Sequence, residues 1–168
     1  ITEFLYGMCD ALQPAVGYNW GAGNSRRISQ IERYCYGTAA GVSLISAAVM
    51  ILFPLKITQF FVPDGDSRLL TLAAAAVPIF AVAYLARWVS LATESYMTAV
   101  GKYLQASVIS VVTAFAAPAL ILIVLFPFGL DGLWLNYPLT AIVCAVLSVV
   151  IIKRFSKDLL AKAKQKHT

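Results

Sequence analysis

QPAVGYNWGAGNSRR, residues 13–27, is the stretch whose reading decides the fold. Pro14, Gly17, Gly21, Gly23 and the pair Arg26 and Arg27 punctuate a chain that is otherwise almost continuously apolar. Apolar residues run up to it, Gly21 and Gly23 break the helix where a positive φ is needed, and the arginines mark one side of a membrane. The stretch therefore reads as a turn at a membrane face.

Composition agrees with that reading. Of 168 residues, 60% are hydrophobic and only 12% charged, and the mean hydropathy is +0.79. Soluble domains average about half apolar and a quarter charged. A chain this short cannot bury every helix on all sides, so the expected fold class is an all-α integral membrane protein. The chain opens on Ile1, and its first apolar segment carries Glu3 and Asp10 with no basic flank, unlike a secretory leader. That predicts a piece of a longer protein. Cys9, Cys35 and Cys144 lie far apart with no C-x-x-C spacing, so they read as small buried hydrophobes, with no metal site. The net charge of +5 suits no nucleic acid partner, because the basic residues flank apolar spans with no aromatic-basic motif beside them.

A spanning helix needs about 20 mostly apolar residues. About five transmembrane helices follow: 1–20, 28–54, 69–101, 103–126 and 133–152, with a basic tail at 153–168 in which Ser156–Lys166 reads as an interfacial helix or a disordered segment. The connections are Gly21–Ser25, FVPDGDS (61–67), Gly101-Lys102 and PFGLDG (127–132). With alternating spans, Arg26, Arg27, Arg33, Lys102, Lys153, Arg154, Lys157, Lys162, Lys164 and Lys166 share one face. The other holds Lys56 and Arg68 with Asp64, Asp66 and Asp131, and Arg87 lies within the membrane. The positive-inside rule makes the first face cytoplasmic and predicts a multi-pass protein of the cell (inner) membrane with its C-terminus in the cytoplasm.

A charge at mid-membrane costs about 2.5–3.5 kcal/mol on insertion scales, so each one asks for a reason. Arg87 and Glu94 stand about two turns apart on one face of the third span, with Ser90 and Thr98 beside them and Tyr84 a turn earlier. Tyr84, Arg87, Ser90 and Glu94 are thus candidates to line a substrate or ion pathway; the alternative is internal ion pairing of Arg87 and Glu94, with each other through water or with groups on other helices, or a Glu94 at the cytoplasmic headgroup level. Glu3 and Asp10 share a face of the first span, with Gln13 a turn beyond, and are weaker candidates for cation coupling. Pro78, Pro118 and Pro138 interrupt apolar spans, where a missing N–H bends the helix. Gly37 with Gly41, and Gly17 with Gly21, suggest close-packing faces. His167, the sole histidine, falls in the tail, and no nucleophile–base arrangement or phosphate-binding Gly-Lys motif is present, so an enzyme is not expected and no cofactor is implied.

The pattern resembles the second half of the multidrug and toxic compound extrusion (MATE) transporter family. QPAVGYNWGAGNSRR resembles the Gln-Pro, Gly-Tyr-Asn-x-Gly-Ala-Gly and trailing basic residues at the end of the family's eighth helix, which singles out Gln13, Pro14, Gly17, Asn19, Gly21 and Gly23 as a family-motif turn. FVPDGDSRLLTLAAAAVP (61–78), ESYMTAVGKYLQASVIS (94–110) and FGLDGLWLNYPLT (128–140) resemble the segments that follow, in order. The resemblance implies part of a C-terminal six-helix bundle that works against an N-terminal bundle not included in this chain. It also implies a secondary antiporter in the lipid bilayer that expels drugs or other small organic, mostly cationic, substrates in exchange for H⁺ or Na⁺, the coupling ion being transported. One branch of the family has a cation-binding acid in its tenth helix where this chain has Trp88, Val89 and Ser90. The chain looks more like the DinF-like branch, whose proposed coupling Asp lies on a helix that this chain lacks. A lipid-linked oligosaccharide flippase of the same superfamily, and a non-transporting membrane scaffold subunit, are the alternative readings.

Overall fold

The computed structural model describes residues 2–62 and 67–165. All regular structure among them is helical: α1 (Thr2–Asp10), α2 (Leu12–Gly21), α3 (Ser25–Leu52), α4 (Pro54–Phe61), α5 (Ser67–Ala99), α6 (Tyr103–Val111), a π-helical turn (Val112–Ala116), α7 (Ala117–Leu125), a 3₁₀ turn (Phe126–Phe128) and α8 (Gly129–Gln165). The protein is an all-α membrane protein. Three continuous helical stretches are long and apolar enough to cross a membrane: Ser25–Leu52, Ser67–Ala99 and Tyr103–Ser156. The last folds back on itself, because Gly129, at φ 61° and ψ −132°, leaves the helical path and returns α8 along α7.

Local chemistry explains most of the boundaries. The helix expected at 1–20 is instead two, interrupted at Ala11. Pro14 has no N–H for the carbonyl of Asp10, and its ring crowds that oxygen, so the ladder opens there while Ala11 still donates to Gly7 at 3.0 Å. α2 ends in a Schellman cap, with Gly23 N–H on Trp20 O at 3.1 Å and Asn24 N–H on Asn19 O at 2.9 Å. Gly23 takes the left-handed conformation (φ 72°); Gly21, expected to share that role, does not. α5 ends the same way at Gly101 (φ 73°), which donates to Thr98 at 3.1 Å, while Lys102 donates to Met97 at 2.8 Å. Pro54 starts α4 at a position where a missing N–H costs nothing, giving a helix over residues that lie between the expected second span and the FVPDGDS connection. PFGLDG is mostly helical, the 3₁₀ turn running into Gly129. α8 runs on past 152 into the tail as far as Gln165. The segment 63–66 and the last three residues lie outside the described residues, so FVPDGDS is described only at its ends.

α5 is the central element and packs on α1, α2, α3, α4, α6 and α8. Pairs of touching residues give the directions. Tyr84, Arg87 and Ser95 meet Thr2, Tyr6 and Asp10 in rising order, so α1 runs parallel to α5. Phe80 meets Tyr137 and Tyr96 meets Phe155, so α8 is parallel to α5 as well. Tyr36 meets Trp88, while Ile28 packs with Tyr96, Met97 and Val100, so α3 is antiparallel. Arg26, Arg27, Arg33, Lys102, Lys153 and Arg154 therefore gather at one end of the bundle, and Lys56, Arg68 and Asp131 lie at the other.

The basic end is closed by an apolar cluster of Leu12, Val16, Ile28, Tyr96, Met97, Val100, Ala106 and Phe155. Phe155 packs against Trp20 and Tyr96, and Lys102 Nζ sits 5.9 Å over its ring. A second cluster joins Leu5 and Cys9 to Ala39, Leu91 and Ala92, and Cys35 packs against it beside Cys9. Small residues allow this close approach. A methyl added at Gly17 would lie 3.4 Å from Ala99 O, whereas Gly37 and Gly41 face open space and form no packing face among the described residues.

Candidate functional site

Two polar groupings meet at α5. The first is a seam with α1, whose residues 2, 6 and 10 recur every four positions and so lie along one side of the helix. Thr2 Oγ1 donates to the Tyr84 hydroxyl at 3.5 Å. Arg87 Nη2 donates to the Tyr6 hydroxyl at 3.3 Å. Asp10 Oδ1 accepts from Ser95 Oγ at 3.0 Å and from Gln13 Nε2 at 2.9 Å. Asp10 thus sits at the helix break that Pro14 creates, tied through one carboxylate oxygen to both α5 and α2. Glu3 turns outward and takes no part in the seam, although its spacing from Asp10 suggests a common face.

The second grouping surrounds a cavity of about 300 Å³ between α5, the π-helical turn, α7 and α8. Arg87, Thr113, Ala114, Pro118, Leu133, Asn136, Tyr137, Thr140 and Ala141 line it. Its shape follows from Pro118. With no N–H at that position, the Ala114 carbonyl loses its helical partner, and the chain widens so that Ala117 N–H reaches back to Val112 O. Asn136 Nδ2 then donates across the hairpin to Pro118 O at 3.1 Å, and Thr140 Oγ1 donates to Asn136 Oδ1 at 3.0 Å. Pro138, two residues beyond the Asn136 that bonds Pro118 O, and Pro78, two residues before the Phe80 that meets Tyr137, fall near the same level of the bundle.

Arg87 belongs to both groupings. Its Nη2 faces α1, the residue lines the cavity, and its Nε is buried with no partner. It lies about 20 Å of helix from the Gly101 turn, too deep to reach the basic end. Thr113 is 8% exposed, and its Oγ1 also has no partner. Glu94 is half-buried, turned toward Ser110 of α6, with Arg87 and Asp10 near enough to act on it electrostatically. Ser90 is buried with an unpartnered hydroxyl but does not line the cavity. The structure therefore brings Tyr84 and Asp10 to the seam and Arg87 to both groupings, and separates Ser90 and Glu94 from the cavity wall.

In the family-motif turn, Gln13 holds Asp10, Asn19 Nδ2 donates to Ala15 O at 2.8 Å, Gly17 admits α5, and Gly23 makes the cap. Sequence reasoning misses Thr113, Asn136, Tyr137 and Thr140. Asn136 and Thr140, a helical turn apart in an apolar span and beside Pro138, are the signal that could have found them. Among the described residues no group of three or more His, Cys, Asp or Glu is placed to hold a metal ion. The chemistry on offer is binding: one fixed guanidinium, hydroxyl and amide dipoles, and a carboxylate at a helix break.

A family model described as MatE matches residues 1–129. No curated protein and no solved structure matches the chain.

Proposed function

This chain belongs to the MatE family of membrane transporters, and we propose on that footing that it is the part of a cation-coupled antiporter that lines the export path for drugs or organic cations. One observation carries the pathway part of the reading, the cationic substrates resting on the family alone: Arg87, at mid-membrane depth, is unpaired at Nε and borders a cavity between α5, α7 and α8. An intramembrane charge that borders a cavity and makes no direct ion pair among the described residues fits a solute pathway. The coupling ion is H⁺ or Na⁺, and Asp10 is the acid best placed to take it, since Ser95 and Gln13 hold its carboxylate where the helix opens. The basic end of the bundle is cytoplasmic, and the second bundle of the family's architecture faces this one in the bilayer. The chain has affinities with the DinF-like branch, as its Trp88-Val89-Ser90 suggests.

Proteoliposomes containing the full-length protein test this. Arg87→Ala lowers counter-ion-driven export of a fluorescent organic cation by at least about tenfold at equal protein density, a loss comparable with one charge-assisted contact. Asp10→Asn leaves substrate binding in place and removes the dependence on the ion gradient. Export unchanged in both variants would exclude the pathway and favour a scaffold role. Arg87 as a cationic cavity group also suits an anionic lipid-linked cargo, which would show as export of a pyrophosphate-bearing lipid and none of organic cations.

A further inference from the structure

We propose that the Arg87 cavity binds the carboxylate of a small organic solute. This deepens the transport reading and rests on it for the solute's passage through the membrane, though not for the binding itself. Three observations carry it. The guanidinium Nε is buried and unpartnered, so part of a planar donor fork is left unpaired in a place where an unmet donor is costly. Thr113 Oγ1, on a side chain 8% exposed, is likewise unpartnered and belongs to the same wall. Asn136 has used one Nδ2 proton on Pro118 O and its Oδ1 on Thr140, so its remaining amide proton is a further donor.

The acids near Arg87 do not answer it. Asp10 is engaged by Ser95 and Gln13 on the other side of α5, and Glu94 is turned to Ser110 and is not in the cavity wall. Among the described residues neither acid bonds to the guanidinium; Glu94 acts on it only through space, so a ligand carboxylate can meet the Nε–H directly. A carboxylate suits the planar fork better than a spherical anion, because two oxygens can meet two N–H groups at once. About 300 Å³ lies at the lower end of ligand-pocket sizes, enough for a ring bearing one acidic group. Tyr137 and Leu133 supply the apolar wall for that ring. Substrates of the transporter then include acidic or zwitterionic molecules whose carboxylate docks here.

Thermal unfolding of the purified full-length protein in detergent, with benzoate, benzamide, benzylammonium or chloride added at equal concentration, tests the site without transport. Benzoate raises the unfolding temperature saturably and the other three do not. Arg87→Gln abolishes the benzoate shift, Arg87→Lys keeps part of it, and Thr113→Val weakens the apparent affinity about tenfold. A shift with benzylammonium equal to that with benzoate overturns the proposal, as does an equal shift with chloride or a benzoate shift that survives Arg87→Gln. If Arg87→Gln does not fold, the four-probe series on the native protein together with Thr113→Val decides. Benzoate selectivity with export indifferent to Arg87→Ala keeps the site and removes the pathway; export lost in Arg87→Ala without benzoate selectivity does the reverse.

Discussion

Glycines with the same name do different work in this chain, and substitutions separate them. A methyl at Gly132 would overlap the Leu125 carbonyl and press on the Phe128 Cβ at 3.1 Å, and a backbone oxygen has nowhere to retreat in so tight a hairpin. Gly132→Ala is therefore expected to lower the unfolding temperature clearly, by the equivalent of about 1–3 kcal/mol for an overpacked site. Gly37→Ala meets nothing within 4 Å and keeps a helical backbone, so it is expected to be neutral or slightly stabilising, as Ala favours helix over Gly by about 1 kcal/mol. Parallel melts of the two variants in one detergent check the contrast; an equal loss in both would show that the hairpin is not the constraint. The sequence motif around Gly132 names the residue, but the reason for it is a carbonyl seven positions earlier, which no local pattern reveals.

Among the elements, α1 and α3 are joined by a contact of which spacing in the chain gives no hint. Cys9 and Cys35 stand side by side across the α1–α3 packing, although their separation in sequence makes each look like an isolated apolar filler. Mild copper-phenanthroline oxidation, with the oxidant taking up the two thiol hydrogens, is expected to link them, and Cys9→Ala or Cys35→Ala to abolish the link. Mass spectrometry of the digested protein reads the cross-linked peptide pair; its absence at full thiol oxidation would deny the antiparallel placement of α3 beside α1. The apolar runs are legible because membrane spans are long and nearly uncharged, and the glycine turns at Gly23 and Gly101 because a left-handed cap selects that residue. The break at Ala11 is not, since Pro14 acts on a carbonyl four residues back while the apolar pattern runs through unchanged. The same holds for the cavity: Arg87 declares itself as a charge, but Thr113 and Asn136 reach it only through the hairpin and the π-helical turn that Pro118 imposes.

At the scale of the molecule, the charges sort by end: Lys102 and the arginines of α3 at one, Lys56 and Arg68 at the other. Lys56→Cys and Lys102→Cys are therefore expected to react with a membrane-impermeant maleimide from opposite sides, Lys102→Cys only from the cytoplasm. Labelling of both from one side would undo the alternation of the legs. Pro78, Pro118 and Pro138, taken from three different legs, share one level of the bundle, and the Arg87 cavity lies on that level. Each proline removes one rung from its own helix, so the bundle's resistance to bending is lowest across a single transverse plane. Below it, toward the basic end, the Phe155 cluster joins residues of α2, α3, α5, α6 and α8, and the two glycine caps keep the turns there short. A tilt of the other end about that plane would change the width of the cavity while leaving the basic end unmoved, so the proposed solute site would also be the joint.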